Sequence, residues 1–294
     1  MKKVVILGCE NSHADNFLTL FHKTHKEEFA DIEVIGVYSE EREAAEKLNA
    51  KFGVPIMEDY ADGVGKVDGV IITARHGDNH YKYAKPYLDS GVPMFIDKPI
   101  TVSEEEAVEF MRQLKERNIK VCGGSSWLYA YDFKLLRRAC QQEEGGPTVG
   151  GIVRAPLQAQ SPHGGFFFYS QHLVDILLAS FEGRPHSVEA RIDVNQNHIV
   201  LFYYDTYTVT GFYSEGGYTG YLAVRFGARR NQGGNVPSAG DSLSYAEMKE
   251  FTGLLNGEEQ SVSYSDFIAT VFIQNAIYRA GISGKVESVN YVEV

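Results

Sequence analysis

Short apolar runs alternate with longer stretches of helical period through the first third of the chain. Val4 to Leu7 is predicted as a strand, Asp15 to Phe29 as a helix with Ser12 as its candidate N-cap, and Glu33 to Tyr38 as the next strand. A helix over 40–52 stops at Gly53, a third buried strand spans 69–73, and a helix over 81–88 ends at Ser90-Gly91. Pro93 to Ile96 is too short for a helix and lies between Gly91 and Pro99, which predicts a strand buried on both faces. The box Ser103-Glu-Glu-Glu106 opens a helix to about Arg117, and Val121-Cys122 continues the series. This rhythm implies right-handed βαβ units and a parallel sheet covered on both faces.

From about Gly123 the pattern changes. A helix over 131–141 leads into a strand near 151–157, then Gly164-Gly165, then a helix from about Tyr169 to Phe181. Two-residue alternation follows: Tyr207, Val209 and Tyr213 against threonines, then Leu222, Val224 and Phe226 against Tyr221, Ala223 and Arg225. One face of that sheet is apolar and the other mixed. The joints 204–207 and 214–217 are hairpin-sized, so neighbouring strands are expected to pair. Gly227 to Asp241 reads as a glycine-rich surface loop, and capping boxes at Ser244 to Glu247 and Ser263 to Asp266 open two closing helices.

Length and composition narrow the partners. With 294 residues and 44% hydrophobic content, two domains are expected, divided into 1–123 and 124–294. A net charge of −11 argues against a nucleic-acid or anionic-membrane surface and favours a small-molecule partner. Three cysteines without metal spacing fit reduced thiols in a cytoplasmic protein, and no run approaches the length of a spanning helix. No metal is expected.

The turn after the first strand, Gly8-Cys-Glu-Asn-Ser-His13, occupies the phosphate-binding corner of a dinucleotide fold, where helix amides face a pyrophosphate. Gly8, Asn11, Ser12 and His13 are therefore candidate cofactor residues. Of three expected glycines only Gly8 remains; Glu10 replaces the second and His13 the third. A carboxylate beside a diphosphate is repulsive, so Glu10 must turn away, be paired or weaken binding, and Glu10→Gly is expected to tighten it. At the end of the second strand Ser39 and Arg42 lean towards NADP, whereas Glu40 and Glu41 lean towards NAD. Lys98, at the end of the Pro93 strand, would bring a cation to the crevice outside the sheet's carboxyl edge.

These pieces, with Val67 to Thr73, a following His80, Gly91 to Pro99, Gly164-Gly165 ahead of His172 to Asp175, and Ala276 to Gly284, together resemble the Gfo/Idh/MocA family of sugar and cyclitol dehydrogenases. The resemblance implies an N-terminal Rossmann domain, a doubly wound parallel sheet. It also implies a C-terminal α+β domain with a mostly antiparallel open-faced sheet for substrate binding and oligomerisation. It further implies hydride transfer between NAD or NADP and a polyhydroxylated substrate by a homo-oligomer. Carried over, Lys98 and His172 are the catalytic pair, with Thr73, His80, Asp97 and Lys98 beside the cofactor. Asp97 stands where the family has glutamate, and Phe168 where many members have an aspartate, leaving Tyr169, Gln171 or His163 as substitutes. The alternative is a catalytically silent dinucleotide or sugar sensor of the same fold.

Overall fold

The computed structural model describes residues 1–236 and 241–294, the side chains at 235, 236 and 241 excepted. In chain order the first elements are β1 (Lys2–Leu7), α1 (Ser12–Thr19), β2 (Ile32–Tyr38), α2 (Arg42–Phe52), β3 (Gly69–Ile72), α3 (Asp78–Ala84), β4 (Met94–Asp97), α4 (Glu104–Glu116) and β5 (Val121–Gly124). Next come α5 (Tyr131–Gln141), β6 (Thr148–Leu157), α6 (Phe167–Ser180), β7 (Ser187–Ile192), β8 (His198–Tyr203), β9 (Thr208–Glu215), β10 (Tyr221–Gly227) and β11 (Asn231–Val236). The chain closes with α7 (Asp241–Leu255), α8 (Tyr264–Phe267), α9 (Ala269–Ser283) and β12 (Glu287–Ser288).

Two compact units result. The first joins residues 1–124 to 240–268 and Val294; the second contains 125–239 and 269–293. A single cut after residue 123 therefore misses the return of the chain: α7 places Met248, Phe251, Leu254 and Leu255 in the same core as Val4, Ile6, Phe17 and Phe95. Burial of these side chains, about 1.5 to 3 kcal/mol each, is what holds the returning helix to the first unit.

The first unit carries an all-parallel sheet in the order β2-β1-β3-β4-β5. Its strands β3 and β4 are buried throughout, as expected of runs covered on both faces. Connections run outward in both directions from β1 and β3, so the crevice outside their carboxyl ends is the place for a ligand. The expected helix over 15–29 starts and stops earlier. Asn11, not Ser12, is the N-cap, its side chain accepting the His13 N–H, and after α1 one π-helical turn (Leu20–Thr24) ends the helix. The helix expected over 81–88 is α3 followed by a 3₁₀ stretch, Lys85–Ser90, with Pro86 entering where an α-helical N–H would be needed.

The second unit carries a seven-stranded sheet, β11-β10-β6-β9-β8-β7-β12, antiparallel except for β6 with β9. β8 and β9 pair across the 204–207 joint as expected. The 214–217 turn does not make a hairpin: β6 lies between β9 and β10. The expected loop over 227–241 contains β11, paired with β10, while 237–240 lie outside the described residues. Within β10 the buried face is Tyr221, Ala223 and Arg225, turned to the side where α5 and α6 pack, and Leu222, Val224 and Phe226 are half-exposed. Arg225 is buried without a carboxylate partner among the described residues; its guanidinium instead donates to Thr148 Oγ1, the carbonyls of Glu144 and Gly146, and Gln232 Oε1. Ser263 caps α8 through the Asp266 N–H, as its box predicted, whereas Ser244 lies a turn inside α7 and caps nothing at its start.

Candidate active site

At the carboxyl edge of the parallel sheet, Asp97 joins the end of β4 to the β1–α1 turn. Its Oδ1 accepts the Lys98 N–H at 2.7 Å, and its Oδ2 accepts from Asn11 Nδ2 at 3.2 Å. His13 Nδ1 lies 2.8 Å from the same Oδ2, an ion pair not aligned as a hydrogen bond. Burial disfavours the imidazolium, but the Asp97 carboxylate outweighs it and the His13 pKa is raised. Burial also works against the Asp97 carboxylate; His13 first and Lys98 second reverse this, and its pKa is lowered. The shorter Asp97 thus makes a structural hub, and His13 fills the place of a helix-packing glycine by pairing with it.

Lys98 is 4% exposed, and burial lowers its pKa despite the nearby Asp97 and Glu247. Glu247 is the residue that sequence reasoning missed. It comes from α7, is fully buried, and neither carboxylate oxygen has a hydrogen-bond partner among the described residues. Burial pushes its pKa up to about 8, against the pull of His13 and Lys98. The signal was present: Ser244, Glu247, Met248 and Phe251 share the buried stripe of one helix, and a carboxylate on an apolar stripe needs a reason.

The other candidates fall into two groups. Gly8 has φ +79°, and a Cβ there would stand 2.3 Å from Ala74 Cα, so only glycine lets β1 turn beside the loop after β3. Thr73 Oγ1 donates to the Gly8 carbonyl at 3.0 Å, and both are buried. His80, expected beside a cofactor, is instead a clip inside the fold: its ring nitrogens face the carbonyls of Ala74 at 2.8 Å and Ile100 at 3.2 Å. Ser12, Arg42, Glu10, Glu41, Lys47 and Arg75 line an open cleft of about 670 Å³ between the β1–α1 turn and the start of α2. Here Glu10 turns away from the helix N-terminus, accepting from Ser39 Oγ at 2.7 Å and the Arg75 N–H at 3.0 Å. Arg42, about half-exposed, pairs with Glu58 at 2.8 Å. The cleft, the Gly8 turn and the α1 N-terminus fit the adenosine and pyrophosphate parts of a dinucleotide.

In the second unit His172 is buried on α6, with its Nδ1 2.6 Å from Ser125 Oγ. A hydroxyl both donates and accepts, so Ser125 can serve either neutral tautomer. The rings of Tyr169 and Tyr221 stand edge-on to the imidazole, at 4.7 and 5.9 Å, and Trp127 packs on Tyr221 at 3.8 Å. Of the three substitutes for the missing aspartate, Tyr169 packs edge-on to His172, Gln171 donates to Asp175 and His163 packs on Phe168. Asp175 also accepts the Ser125 N–H at 3.0 Å, and burial pushes its pKa up to about 7. The three cysteines are buried free thiols, and burial raises the Cys9 thiol to about 12.

Residues 2–124 match the GFO_IDH_MocA profile, an oxidoreductase family with an NAD-binding Rossmann fold. Over 131 residues the chain is 24% identical to the uncharacterized oxidoreductase YhhX of Escherichia coli (strain K12), covering 40% of this chain. That match spans 36% of the length of YhhX. The fold extends the likeness over the remaining residues. Myo-inositol 2-dehydrogenase from Lactobacillus plantarum superposes with a TM-score of 0.83 at 13% identity, covering 98% of this chain and 99% of that one. Scyllo-inositol dehydrogenase from Lactobacillus casei, solved with NAD(H) and scyllo-inositol, gives 0.82 at 15% identity, covering 98% and 99%. At these identities the likeness shows a shared two-sheet fold over nearly the whole chain. Among the described residues no helix is long and apolar enough to cross a membrane.

Proposed function

We propose that this protein is an NAD-dependent oxidoreductase acting on a secondary alcohol of a cyclitol- or sugar-like polyol. The observation that carries the reading is Lys98, an almost fully buried ammonium at the carboxyl edge of a parallel sheet, tied through Asp97 to the dinucleotide-binding turn. When bound, the nicotinamide supplies the hydride acceptor. Gly8, Ser12 and the α1 N-terminus would hold its pyrophosphate, and Ser39 with Glu10 its adenosine half. Lys98 stabilises negative charge on the substrate oxygen, and a buried ammonium does this more strongly than an exposed one. His172 takes the hydroxyl proton in oxidation and returns it in reduction, while Ser125 keeps the ring oriented through either direction. The inositol dehydrogenases of the same fold support a cyclitol as substrate, and the second unit's sheet supports a homo-oligomer.

Titration of the purified protein with NADH, followed by fluorescence, tests the cofactor. A panel of inositols, polyols and sugar acids with NAD, followed by NADH absorbance, then tests the activity. Binding without turnover on any of them would favour the second reading, a silent sensor, for which Phe168 in place of the usual acid is the supporting observation.

A further inference from the structure

The position that carries the ribose-binding acid in dinucleotide folds, at the end of the second strand, is here Ser39. A carboxylate is nevertheless present at that place. It belongs to Glu10, from the β1–α1 turn, whose Oε2 is 2.7 Å from Ser39 Oγ and whose Oε1 accepts the Arg75 N–H at 3.0 Å. Both donors are neutral groups. Of the two guanidiniums that line the cleft, Arg42 pairs with Glu58 at 2.8 Å, and Arg75 donates to the Glu10 backbone carbonyl and pairs with the Glu41 carboxylate at 3.2 Å. The Glu10 carboxylate makes no ion pair among the described residues, and each of its oxygens has used only one of its two acceptor sites.

We infer that Glu10 supplies the carboxylate that binds the adenosine ribose hydroxyls, relocated from the second strand to the glycine turn, and that it commits the cleft to NAD over NADP. This rests on the NAD reading above and deepens it. A vicinal diol offers two O–H donors to a carboxylate with two vacant acceptor sites. A 2′-phosphate in the same place would face the Glu10 and Glu41 carboxylates; of the nearby cations Arg42 pairs with Glu58 at 2.8 Å, Arg75 with Glu41 at 3.2 Å and Lys82 with Glu40 at 2.7 Å, which leaves Lys47 of the cleft lining without an ion pair among the described residues. The sequence pattern alone led to the opposite expectation, a carboxylate repelling the pyrophosphate and a gain on Glu10→Gly. The side-chain direction reverses it, because the carboxylate lies towards β2 and not over the helix N-terminus.

The test is direct binding of NADH and NADPH by fluorescence titration to the full chain and to Glu10→Gln, Glu10→Gly, Ser39→Ala and the double variant Glu10→Gly with Ser39→Asp. Wild type is expected to prefer NADH by about tenfold or more. Glu10→Gln should weaken NADH by about tenfold and NADPH by far less, and the double variant should recover NADH binding that Glu10→Gly alone loses. Ser39→Ala, which removes the group that orients the carboxylate, should give a smaller loss in the same direction, and it serves if Glu10→Gln does not fold. An NADH affinity unchanged within twofold in Glu10→Gln, tighter NADH binding by Glu10→Gly, or a wild type that prefers NADPH would each overturn the inference while leaving the cofactor reading intact. A wild type that binds neither nucleotide would overturn both.

Discussion

Ser125 Oγ lies 2.6 Å from Nδ1 of His172 and accepts the Trp127 N–H at 3.3 Å, so one hydroxyl fixes both the imidazole and the start of the following turn. If His172 exchanges the substrate proton, His172→Ala should lower turnover by roughly 10²- to 10⁴-fold and abolish the acidic limb of the pH–rate profile. Ser125→Ala should cost about tenfold in kcat with little change in KM, and Ser125→Thr should restore most of it. A pH profile identical in wild type and His172→Ala would remove His172 from the chemistry.

Lys98 is almost fully buried at the end of β4. Lys98→Ala is expected to reduce turnover by on the order of 10²- to 10³-fold while NADH binding, measured separately, changes much less. Equal losses in both would assign Lys98 to cofactor binding alone.

Glu247 links stability to pH with a definite sign. Its folded pKa, about 8, is above the ordinary 4.5, so the folded state holds a proton that the unfolded state has released. The stabilisation is present below about pH 4.5 and is lost as pH rises through about 8; Asp175, raised to about 7, acts in the same direction over a slightly lower window. Glu247→Gln removes the titrating group but keeps its shape. Thermal melts should show the variant more stable than wild type at pH 9, by roughly 1 to 3 kcal/mol, with the gap closing towards pH 5. A gap that does not depend on pH would show that burial, not ionisation, governs this side chain.

The outer face of the second sheet carries two rows of cross-strand neighbours. In one, Val224 pairs with Ile152 and Ile152 with Thr210; in the other, Leu222 pairs with Arg154 and Arg154 with Phe212. On this face Ile152 and Ile199 are 36% and 40% exposed, and Leu222, Val224 and Phe226 are half-exposed. A symmetric homo-oligomer is expected, and Val224→Asp should shift it towards monomer in light scattering without changing the circular dichroism spectrum. A wild type that is already monomeric at micromolar concentration would count against this use of the face.

Much of this was legible from local pattern. β1, β3 and β4 are apolar runs bounded by Gly and Pro, and the one reading they allow places Lys98 at a sheet edge. What escaped was decided far away in the chain. Asp97 meets Asn11 across 86 residues, which no spacing rule anticipates. Glu247 satisfied a local capping pattern, and only the packing of α7 shows that the helix begins at Asp241. The turn after β9 has hairpin length, yet β6, from far earlier in the chain, had already taken the place beside β9. β11, with Gly233 and Gly234 at its centre, has too few side chains to announce a strand, and its pairing with β10 is carried by the backbone.

The return of α7 to the first sheet also sets a timetable. A ribosome releases the five parallel strands first, but the apolar flank that Met248, Phe251, Leu254 and Leu255 cover stays bare until more than a hundred further residues have been made. The dinucleotide unit is therefore completed late although its strands are synthesised early. In the interval the nascent chain presents an oily surface to whatever chaperones attend it. A gene truncated after residue 124 would never pass that stage: it would encode every strand of the parallel sheet and still yield a product prone to aggregate, lacking Glu247 as well.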